Sequence, residues 1–305
     1  MPCFFPLQAT FSLRDDGKKS LVFSNTNARL FKEGVKPSGD NNLTLPCGKC
    51  MGCRIERSRQ WAIRCMHEAK CHSENCFVTL TYSDEYLPKG GTLVRKDLQK
   101  FLYRLRTAIS PQRVRYYYCG EYGEKLSRPH YHLCLFGYDF KDKKRLSKRN
   151  GNWIYSSEFL SKLWPFGHAS VGSFTYDTAA YVARYVTKKM SGDQSKEHYD
   201  GKVPEFGGMS LKPGLGANWF EKYGKTDVIP HDSVIVKAKE AKVPRYYDIL
   251  IERQDPERFE KIKQARKEFG KSLEFDNTAD RLAVKYKIFK SKIRLLPRKL
   301  EQANG

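Results

Sequence analysis

The chain has 305 residues, enough for one catalytic domain with additional segments, and its 56 Lys and Arg against 34 Asp and Glu give a formal charge of +22. Such a charge, with an isoelectric point near 9.6, is atypical of a metabolic enzyme and favours a polyanionic partner. The sequence lacks any run of about 18 apolar residues and any signal-peptide pattern, which argues against a membrane partner and predicts a soluble, cytosolic protein.

The N-terminal segment, through about residue 45, has short apolar stretches between polar turns and is predicted to be an irregular lead-in. A cysteine cluster follows in Pro46-Cys47-Gly48-Lys49-Cys50-Met51-Gly52-Cys53, where a cysteine recurs at every third residue among glycines. This spacing is typical of a metal knuckle. Structural zinc needs four ligands and this cluster supplies three, so Cys3 at the N-terminus is the most economical candidate for the fourth ligand. The alternative is three reduced thiols in a tight turn, as expected of cysteines outside a secreted framework.

Residues 54–72 are predicted to form an amphipathic helix, because apolar side chains recur at helical spacing from Ile55 to Ala69. Arginines occupy much of the remaining surface, namely Arg54, Arg57, Arg59 and Arg64. This basic face is either an ordinary solvated surface or a contact for DNA phosphates.

The rest of the chain alternates predicted strands and helices. Strands are predicted over 76–82, 113–119, 128–137 and 167–174, and helices over 94–109, 156–163 and 176–190. Polar loops are predicted over 141–150 and 191–225, and two charged helices over 256–300, broken near 276–277. This order predicts an α+β fold centred on an antiparallel sheet. Three regions are expected: a lead-in with the cysteine knuckle and basic helix (1–72), a central domain (73–230) and a basic, mainly helical extension (231–305).

His130 and His132 lie two residues apart on a predicted strand, so both imidazoles leave the same face of the sheet. Glu121, at the end of the preceding strand, can bring a carboxylate beside the pair, and Glu124 in the turn is the competitor. Two histidines and a carboxylate form a three-ligand site that can hold a divalent cation and leave positions open for a phosphate oxygen.

Tyr181 and Tyr185 lie four residues apart in a predicted helix, which places both phenols on one face, with Lys188 following. The alternative interpretation is two tyrosines that pack as part of an amphipathic stripe. The neighbouring valines and alanine already offer apolar packing, and Arg184 and Lys189 make the surroundings attractive to phosphate.

Three motifs together resemble those of HUH-type rolling-circle replication initiators. They are the strand Phe77-Val78-Thr79-Leu80-Thr81-Tyr82, the pair in Arg128-Pro129-His130-Tyr131-His132, and the Tyr-x3-Tyr-x2-Lys helix at Tyr181, Tyr185 and Lys188. The resemblance covers about residues 46–225 and is closest to microvirus initiators, gokushovirus-like in the cysteine element. The order and combination of the motifs make it specific.

The resemblance implies a ferredoxin-like or RRM-like antiparallel palm. In it His130, His132 and Glu121 would hold Mg²⁺ or Mn²⁺, although imidazoles by themselves also accept zinc. Tyr181 and Tyr185 would be nucleophiles, with Lys188 as base or phosphate ligand. The implied reaction is the nicking of single-stranded DNA at a phage origin through a covalent 5′-phosphotyrosine, followed by rejoining. Candidate DNA contacts are Arg54, Arg57, Arg64, Arg128, Arg184 and Lys189.

The implied setting is the cytoplasm of an infected bacterial host. The sequence has no Gly-x4-Gly-Lys-Ser/Thr loop, so unwinding would fall to a host replication helicase, and a host polymerase would extend the 3′ end. One alternative is a non-enzymatic basic protein that binds or packages single-stranded DNA, with tyrosines as stacking platforms. Another is a transposase or plasmid relaxase, which shares the chemistry.

Overall fold

The computed structural model describes residues 3–13, 19–23, 42–123, 126–149, 151–188 and 194–295. Only the backbone is described for residues 11–13, 19–22, 42, 149, 185–188, 194–196 and 295. No helix within these ranges has the length and apolar character needed to cross a membrane.

The N-terminal segment forms a small antiparallel sheet. Its strands are β1 (Leu7–Leu13), β2 (Lys19–Phe23) and β3 (Asn42–Leu45), in the order β2-β1-β3. The predicted irregular lead-in is therefore wrong for these residues. The pairing of β1 with β3 joins residues as far apart as Leu7 and Leu45, and short strands with such distant partners carry little local signal.

The central part of the chain builds a seven-stranded antiparallel sheet with helices on both faces. Its order is β10-β5-β6-β4-β9-β8-β7. The helices and strands in chain order are α1 (Met51–Ala69), β4 (Asn75–Tyr82), α2 (Arg95–Ala108), β5 (Arg115–Tyr122), β6 (Pro129–Phe136), β7 (Lys144–Arg149), β8 (Asn152–Ser156), α3 (Glu158–Leu163), β9 (Gly167–Ser173), α4 (Tyr176–Lys188), α5 (Gln194–Tyr199) and β10 (Phe206–Met209). The predicted α+β class with an antiparallel sheet is confirmed, and the sheet is consistent with an HUH-type palm.

The two faces of this sheet have different chemistry. One face is apolar and packs against α2 and α3; its strand residues include Val78, Leu80, Tyr131, Leu133 and Leu135. The opposite face is covered by α1 and α4, which contribute Ala62, Cys65, Ala179 and Val182 to a second apolar cluster. The polar residues Thr79, Thr81, His130 and His132 share this second face with Glu121, because they are partners in the strand register.

Two predicted loops contain regular structure. Residues 144–156 form the β7–β8 hairpin rather than a polar loop, with Arg149 opposite Asn152. The sequence feature that could have predicted this hairpin is the Asn150-Gly151 dipeptide, which favours a two-residue hairpin turn. Gly151 has a φ of 81°, in the left-handed region that such turns require. β7 is the edge strand of the sheet, and its many lysines and arginines made its sequence resemble that of a polar loop. The predicted loop over 191–225 contains α5, β10 and a further helix, α6 (Ala217–Tyr223).

The remaining elements are β11 (Ser233–Val236), β12 (Lys239–Lys242), α7 (Arg245–Gln254), α8 (Pro256–Ser272) and α9 (Ala279–Leu295). Single turns at Lys89–Gly91 and Glu274–Asp276 are 3₁₀-helical, and Gly224–Val228 is a π-helical turn. The predicted pair of charged C-terminal helices is confirmed, with the break at 273–278.

The chain divides into two compact units. Among the described residues, one unit comprises 3–13, 19–23, 42–56 and 257–295, and the other comprises those between 57 and 256. The first unit contains the three-stranded sheet, the start of α1, most of α8 and α9. The second contains the seven-stranded sheet and the helices that cover it.

A buried carboxylate joins α1 to β5 in the second unit. Glu68 is fully buried and accepts a hydrogen bond from Arg115 Nε at 2.5 Å and from the backbone N–H of Gly216 at 2.7 Å. His72 Nε2 lies 3.2 Å from the same carboxylate. Burial alone would raise the pKa of Glu68, but these hydrogen bonds and the Arg115 charge lower it overall.

We expect Glu68→Gln to destabilise the second unit by about 3 kcal/mol, because it leaves the Arg115 guanidinium without its counter-charge. The free energy of unfolding, measured by urea titration, tests this. Glu158→Gln is the control, since Glu158 pairs with Lys144 on the exposed surface and should leave the urea midpoint unchanged. Equal effects of the two substitutions would contradict the structural role of Glu68.

Candidate active site

The antiparallel register of three adjacent strands assembles the candidate site. Glu121 on β5 is paired with His130 on β6, and His130 is paired with Thr81 on β4. His132 is likewise paired with Thr79. Directly paired residues of antiparallel strands share a face, so these side chains meet on one surface of the sheet.

Glu121, His132 and Tyr181 are in direct contact. His132 Nε2 lies 2.6 Å from Glu121 Oε1, and the Tyr181 hydroxyl donates to the same oxygen at 3.1 Å. The three residues are 1%, 2% and 3% exposed, respectively. The Tyr181 ring also packs edge-on against the His132 ring, with centroids 5.1 Å apart. A helix residue and two strand residues thus form one buried polar cluster.

His130 lies beside this cluster rather than within it. Its ring centroid is 6.4 Å from that of His132. Burial lowers the pKa of His130 to about 4, with smaller electrostatic contributions in the same direction from the neighbouring His132 and Arg128 side chains. The ring is therefore neutral at physiological pH, which is the form that ligates metals.

Two threonines of β4 orient the histidines. Thr79 Oγ1 lies 3.1 Å from His132 Nδ1, and Thr81 Oγ1 lies 2.9 Å from His130 Nδ1. A hydroxyl can donate or accept, so each threonine can hold its ring in either tautomer and directs Nε2 away from β4. Sequence reasoning missed this role, although the Thr-x-Thr alternation has the same period as the His-x-His pair.

Two of the three predicted cation ligands, Glu121 and His132, are in contact, whereas the described side chains do not bring His130 into one compact group of ligand atoms with them. Glu121 Oε2 is buried and has no hydrogen-bond partner among the described residues, so one carboxylate oxygen is left to face a further ligand. Gly123 provides space at His130, since a Cβ built there would lie 2.8 Å from His130 Nε2. The donor set of two imidazoles and a carboxylate suits divalent metals with open positions.

The site opens into a cleft of about 650 Å³. Tyr181, His130 and His132 line it together with Trp153 of β8 and His168 of β9, two residues that sequence reasoning did not select. His168 is exposed and is paired with Thr81 in the register, which places it on the same face as His130. The lining therefore includes an imidazole and an indole in addition to the predicted residues.

The structure describes only part of the predicted tyrosine helix. Tyr185 and Lys188 lie in α4, and their side chains are outside the described residues. Glu124, the competitor of Glu121, and Lys189 are also outside the described residues. The nucleophilic role of the tyrosines and the metal role of Glu121, His130 and His132 stay predictions.

The candidate DNA contacts fall into two groups. Arg57 and Arg184 are exposed and Arg54 is half-buried. Arg64, in contrast, is 9% exposed and lies between the rings of Trp61 and Tyr246, with its guanidinium carbon 4.2 Å and 4.0 Å from the ring centroids. Its Nε donates to the Leu215 carbonyl at 3.0 Å. Arg64 therefore does not lie on the basic surface predicted for it.

Arg128 has a structural partner as well. Its Nη1 donates to the carbonyl of Tyr82 at 2.9 Å, and its Nη2 pairs with Asp84. These contacts attach the start of β6 to the end of β4, and 23% of the Arg128 side chain stays exposed. A phosphate contact by Arg128 stays a prediction.

The predicted cysteine set lies together in the first unit. The Sγ atoms of Cys3, Cys47, Cys50 and Cys53 are all within 4.8 Å of one another. Zinc binding by this set stays a prediction.

Comparison with known proteins identifies the family. Residues 75–190 match the family model described as replication-associated protein ORF2/G2P. The chain is 32% identical to replication-associated protein VP4 of Bdellovibrio phage phiMH2K, over 99% of this chain and 100% of that protein. It is 32% identical to replication-associated protein ORF2 of Spiroplasma virus 4, over 90% of this chain and 88% of that protein.

A third relative, replication-associated protein ORF4 of Chlamydia phage 1, is 34% identical over 48% of this chain and 39% of its own length. No solved structure shows a significant match to the chain. The chain belongs to the family of microvirus replication-associated proteins, and the predicted family is confirmed.

We expect the double substitution Thr79→Val and Thr81→Val to weaken Mn²⁺ binding by about 10-fold or more, because both imidazoles lose the hydroxyl that orients them. Loss of the electron paramagnetic resonance signal of free Mn²⁺ on titration with protein measures this affinity directly. Ser170→Ala, on β9 in the same cleft, is the matched control and should bind Mn²⁺ as the wild type does. Unchanged affinity in the double variant would contradict the orienting role.

Proposed function

We propose that this protein initiates rolling-circle replication by nicking one DNA strand at a phage origin and later rejoining it. The observation that carries the proposal is the contact of Glu121 with both His132 and Tyr181 beside His130, at a cleft. A carboxylate, two imidazoles and a phenol at one place are the groups that a tyrosine transesterase needs. The names of the relatives, replication-associated proteins of phages, support a role in replication.

His130, His132 and Glu121 are the residues that would hold Mg²⁺ or Mn²⁺. When bound there, the cation supplies positive charge that offsets the negative charge developing on the scissile phosphate. The protein contributes the orientation of both imidazoles through Thr79 and Thr81. It also contributes a water-poor environment, since Glu121 and His132 are almost completely buried.

The tyrosine helix supplies the nucleophiles. The Tyr181 hydroxyl already donates to Glu121 Oε1, which holds its oxygen beside the metal ligands and offers an acceptor for its proton. In the nicking step the phenolic oxygen forms a bond to phosphorus, and the bond from phosphorus to the 3′ oxygen breaks. That oxygen takes a proton and becomes a free 3′-hydroxyl, while the 5′ phosphate stays on the tyrosine.

Tyr185 is proposed as the second nucleophile and Lys188 as a phosphate ligand or base. A spacing of four residues places Tyr185 one helical turn from Tyr181, so both phenols can serve one site. A second cut can then be made while the first DNA end is still held. The newly released 3′-hydroxyl attacks the first phosphotyrosine, which restores the phosphodiester and frees the tyrosine.

The cleft and the β7–β8 hairpin beside it have side chains that suit the binding of single-stranded DNA. Trp153 of β8 lines the cleft, and Arg145 and Lys148 of β7 lie 4.7 Å and 5.5 Å from the centroid of its ring. An indole offers a stacking surface for a base, and the neighbouring cations suit phosphates. The formal charge of +22 supports non-specific DNA affinity. A host helicase and polymerase in the bacterial cytoplasm are the proposed partners in replication.

We expect His130→Ala and His132→Ala each to reduce nicking of an origin oligonucleotide by about 100-fold or more, because the cation that stabilises the transition state is lost. Affinity for single-stranded DNA should change little, since lysines and arginines supply the non-specific binding. A denaturing gel measures the covalent adduct, and fluorescence anisotropy at several salt concentrations measures binding.

The control for these substitutions is His198→Ala, which removes an exposed histidine outside the cleft and should nick normally. If His130→Ala and His132→Ala lost DNA binding to the same extent as nicking, the proposed role of these histidines as metal ligands would be contradicted. A wild-type protein that binds DNA and forms no adduct in Mn²⁺ would support the non-enzymatic DNA-binding alternative.

We expect Tyr181→Phe and Tyr185→Phe each to retain some initial cleavage, because either phenol can be the first nucleophile, and the double variant to form no adduct. Circle formation should suffer in both single variants. Mass spectrometry of the DNA-linked peptide identifies the attacking tyrosine in each variant. Tyr103→Phe, on the exposed surface of α2, is the matched control. An adduct confined to one tyrosine, with the other dispensable for circle formation, would refute the two-nucleophile scheme.

A further inference from the structure

A second group of potential metal ligands lies in the first unit and has no part in the proposed nicking chemistry. Cys3 precedes β1, Cys47 follows β3, and Cys50 and Cys53 lie immediately before and within the first turn of α1. Their Sγ atoms are mutually within 4.8 Å. The Cys47–Cys53 and Cys3–Cys50 sulfur distances are both 4.0 Å.

These distances match a tetrahedral metal site and are too long for a disulfide. With zinc–sulfur bonds of about 2.3 Å, tetrahedral geometry puts sulfur atoms about 3.8 Å apart. A disulfide would need about 2.05 Å between two of them, and all four cysteines are free thiols. The spacing of the sulfur atoms therefore leaves room for one ion among them.

The backbone around the cysteines is arranged as in a knuckle. The N–H of Cys50 donates to Cys47 Sγ, and the N–H of Cys47 donates to Cys3 Sγ, both at 3.3 Å. Gly48, between them, has a φ of 71°, a left-handed conformation that favours glycine and lets the chain reverse. Two of the four sulfur atoms thus accept backbone hydrogen bonds within the turn, which fixes their positions relative to the other two.

The first unit has a small hydrophobic core, which a metal ion could stabilise. Its sheet consists of three short strands, and few of its described side chains are large, apolar and buried. Small cores of this kind are commonly stabilised by disulfides or metals. Cys3 and Cys47 lie just outside the paired ends of β1 and β3, where Leu7 is opposite Leu45. Ligation there would hold the two strand ends together.

The same link would hold the C-terminal helix. The ring of Phe4, next to Cys3, lies 5.3 Å from that of Tyr286 and 5.0 Å from that of Phe289, both on α9. Phe5 contacts the Tyr286 ring at 5.1 Å. Anchoring Cys3 therefore fixes the aromatic residues on which α9 packs.

We propose that Cys3, Cys47, Cys50 and Cys53 bind one structural zinc ion that joins the N-terminal segment, the start of α1 and, through Phe4 and Phe5, α9. Four thiolates complete a tetrahedral coordination sphere and leave no position for substrate, so the ion has a structural role. This inference is independent of the proposed nicking reaction.

The test begins with the metal content of the full chain, purified under reducing conditions without a metal-affinity tag. Elemental analysis should find one zinc per chain, and Cys50→Ser and Cys53→Ser should each lose most of it. Cys71→Ser is the matched control, because Cys71 is an exposed cysteine outside the cluster and should keep the full amount. His132→Ala should also keep its zinc, which separates this site from the cleft.

If the serine variants fail to fold, a cobalt titration of the wild-type chain tests the same proposal. The wild-type chain, stripped with a chelator and titrated with Co²⁺, should develop the thiolate charge-transfer and visible bands of tetrahedral cobalt, complete at one equivalent. Zinc should then displace the cobalt and raise the melting temperature. Wild type without zinc and without cobalt bands would overturn the proposal. So would zinc retained by both serine variants, zinc lost from His132→Ala, or a disulfide within the set under reducing conditions.

Discussion

The antiparallel pairing of β5, β6 and β4 is the constraint on which the candidate site depends. Pairing of Glu121 with His130, and of His130 with Thr81, places a carboxylate, an imidazole and a hydroxyl in one row across the sheet. The row formed by His132 and Thr79 lies two residues away on the same face. A slip of one residue in β6 would turn both histidines into the apolar face, so the same pairing that builds the core also builds the site.

Burial gives this site its chemical character. α4 places Tyr181 against Glu121 and His132 within an apolar cluster that includes Ala179, Val182 and residues of α1. Buried polar groups are costly unless they are paired, and Glu121 keeps one buried oxygen without a partner in the described chain. This oxygen lies beside two imidazoles that the β4 threonines contact, which is the observation behind the proposed cation site.

The positive charge of the chain serves more than one purpose. Arg64 is held between two aromatic rings, Arg115 pairs with the buried Glu68, and Arg128 links two strands. These guanidiniums stabilise the fold, because a planar cation can stack on rings and donate several hydrogen bonds at once. Arg57 and Arg184 are on the exposed surface. The net charge of the chain therefore does not reveal which arginines are exposed, because that depends on the burial of each side chain.

The elements with strong local periodicity were predictable from the sequence. They are the strands around Thr79 and His132, the helices around Leu102 and Tyr181, and the two charged C-terminal helices. It also predicted Glu121 as the partner of the histidines, because adjacent strands joined by a tight turn must pair locally. Other features became visible only in the folded chain: the N-terminal sheet, the burial of Arg64, the contacts of Thr79 and Thr81 with the histidines, and the contact of Cys3 with Cys50. Each of these features depends on contacts between residues distant in the chain. Local patterns of hydrophobicity and propensity do not predict such contacts.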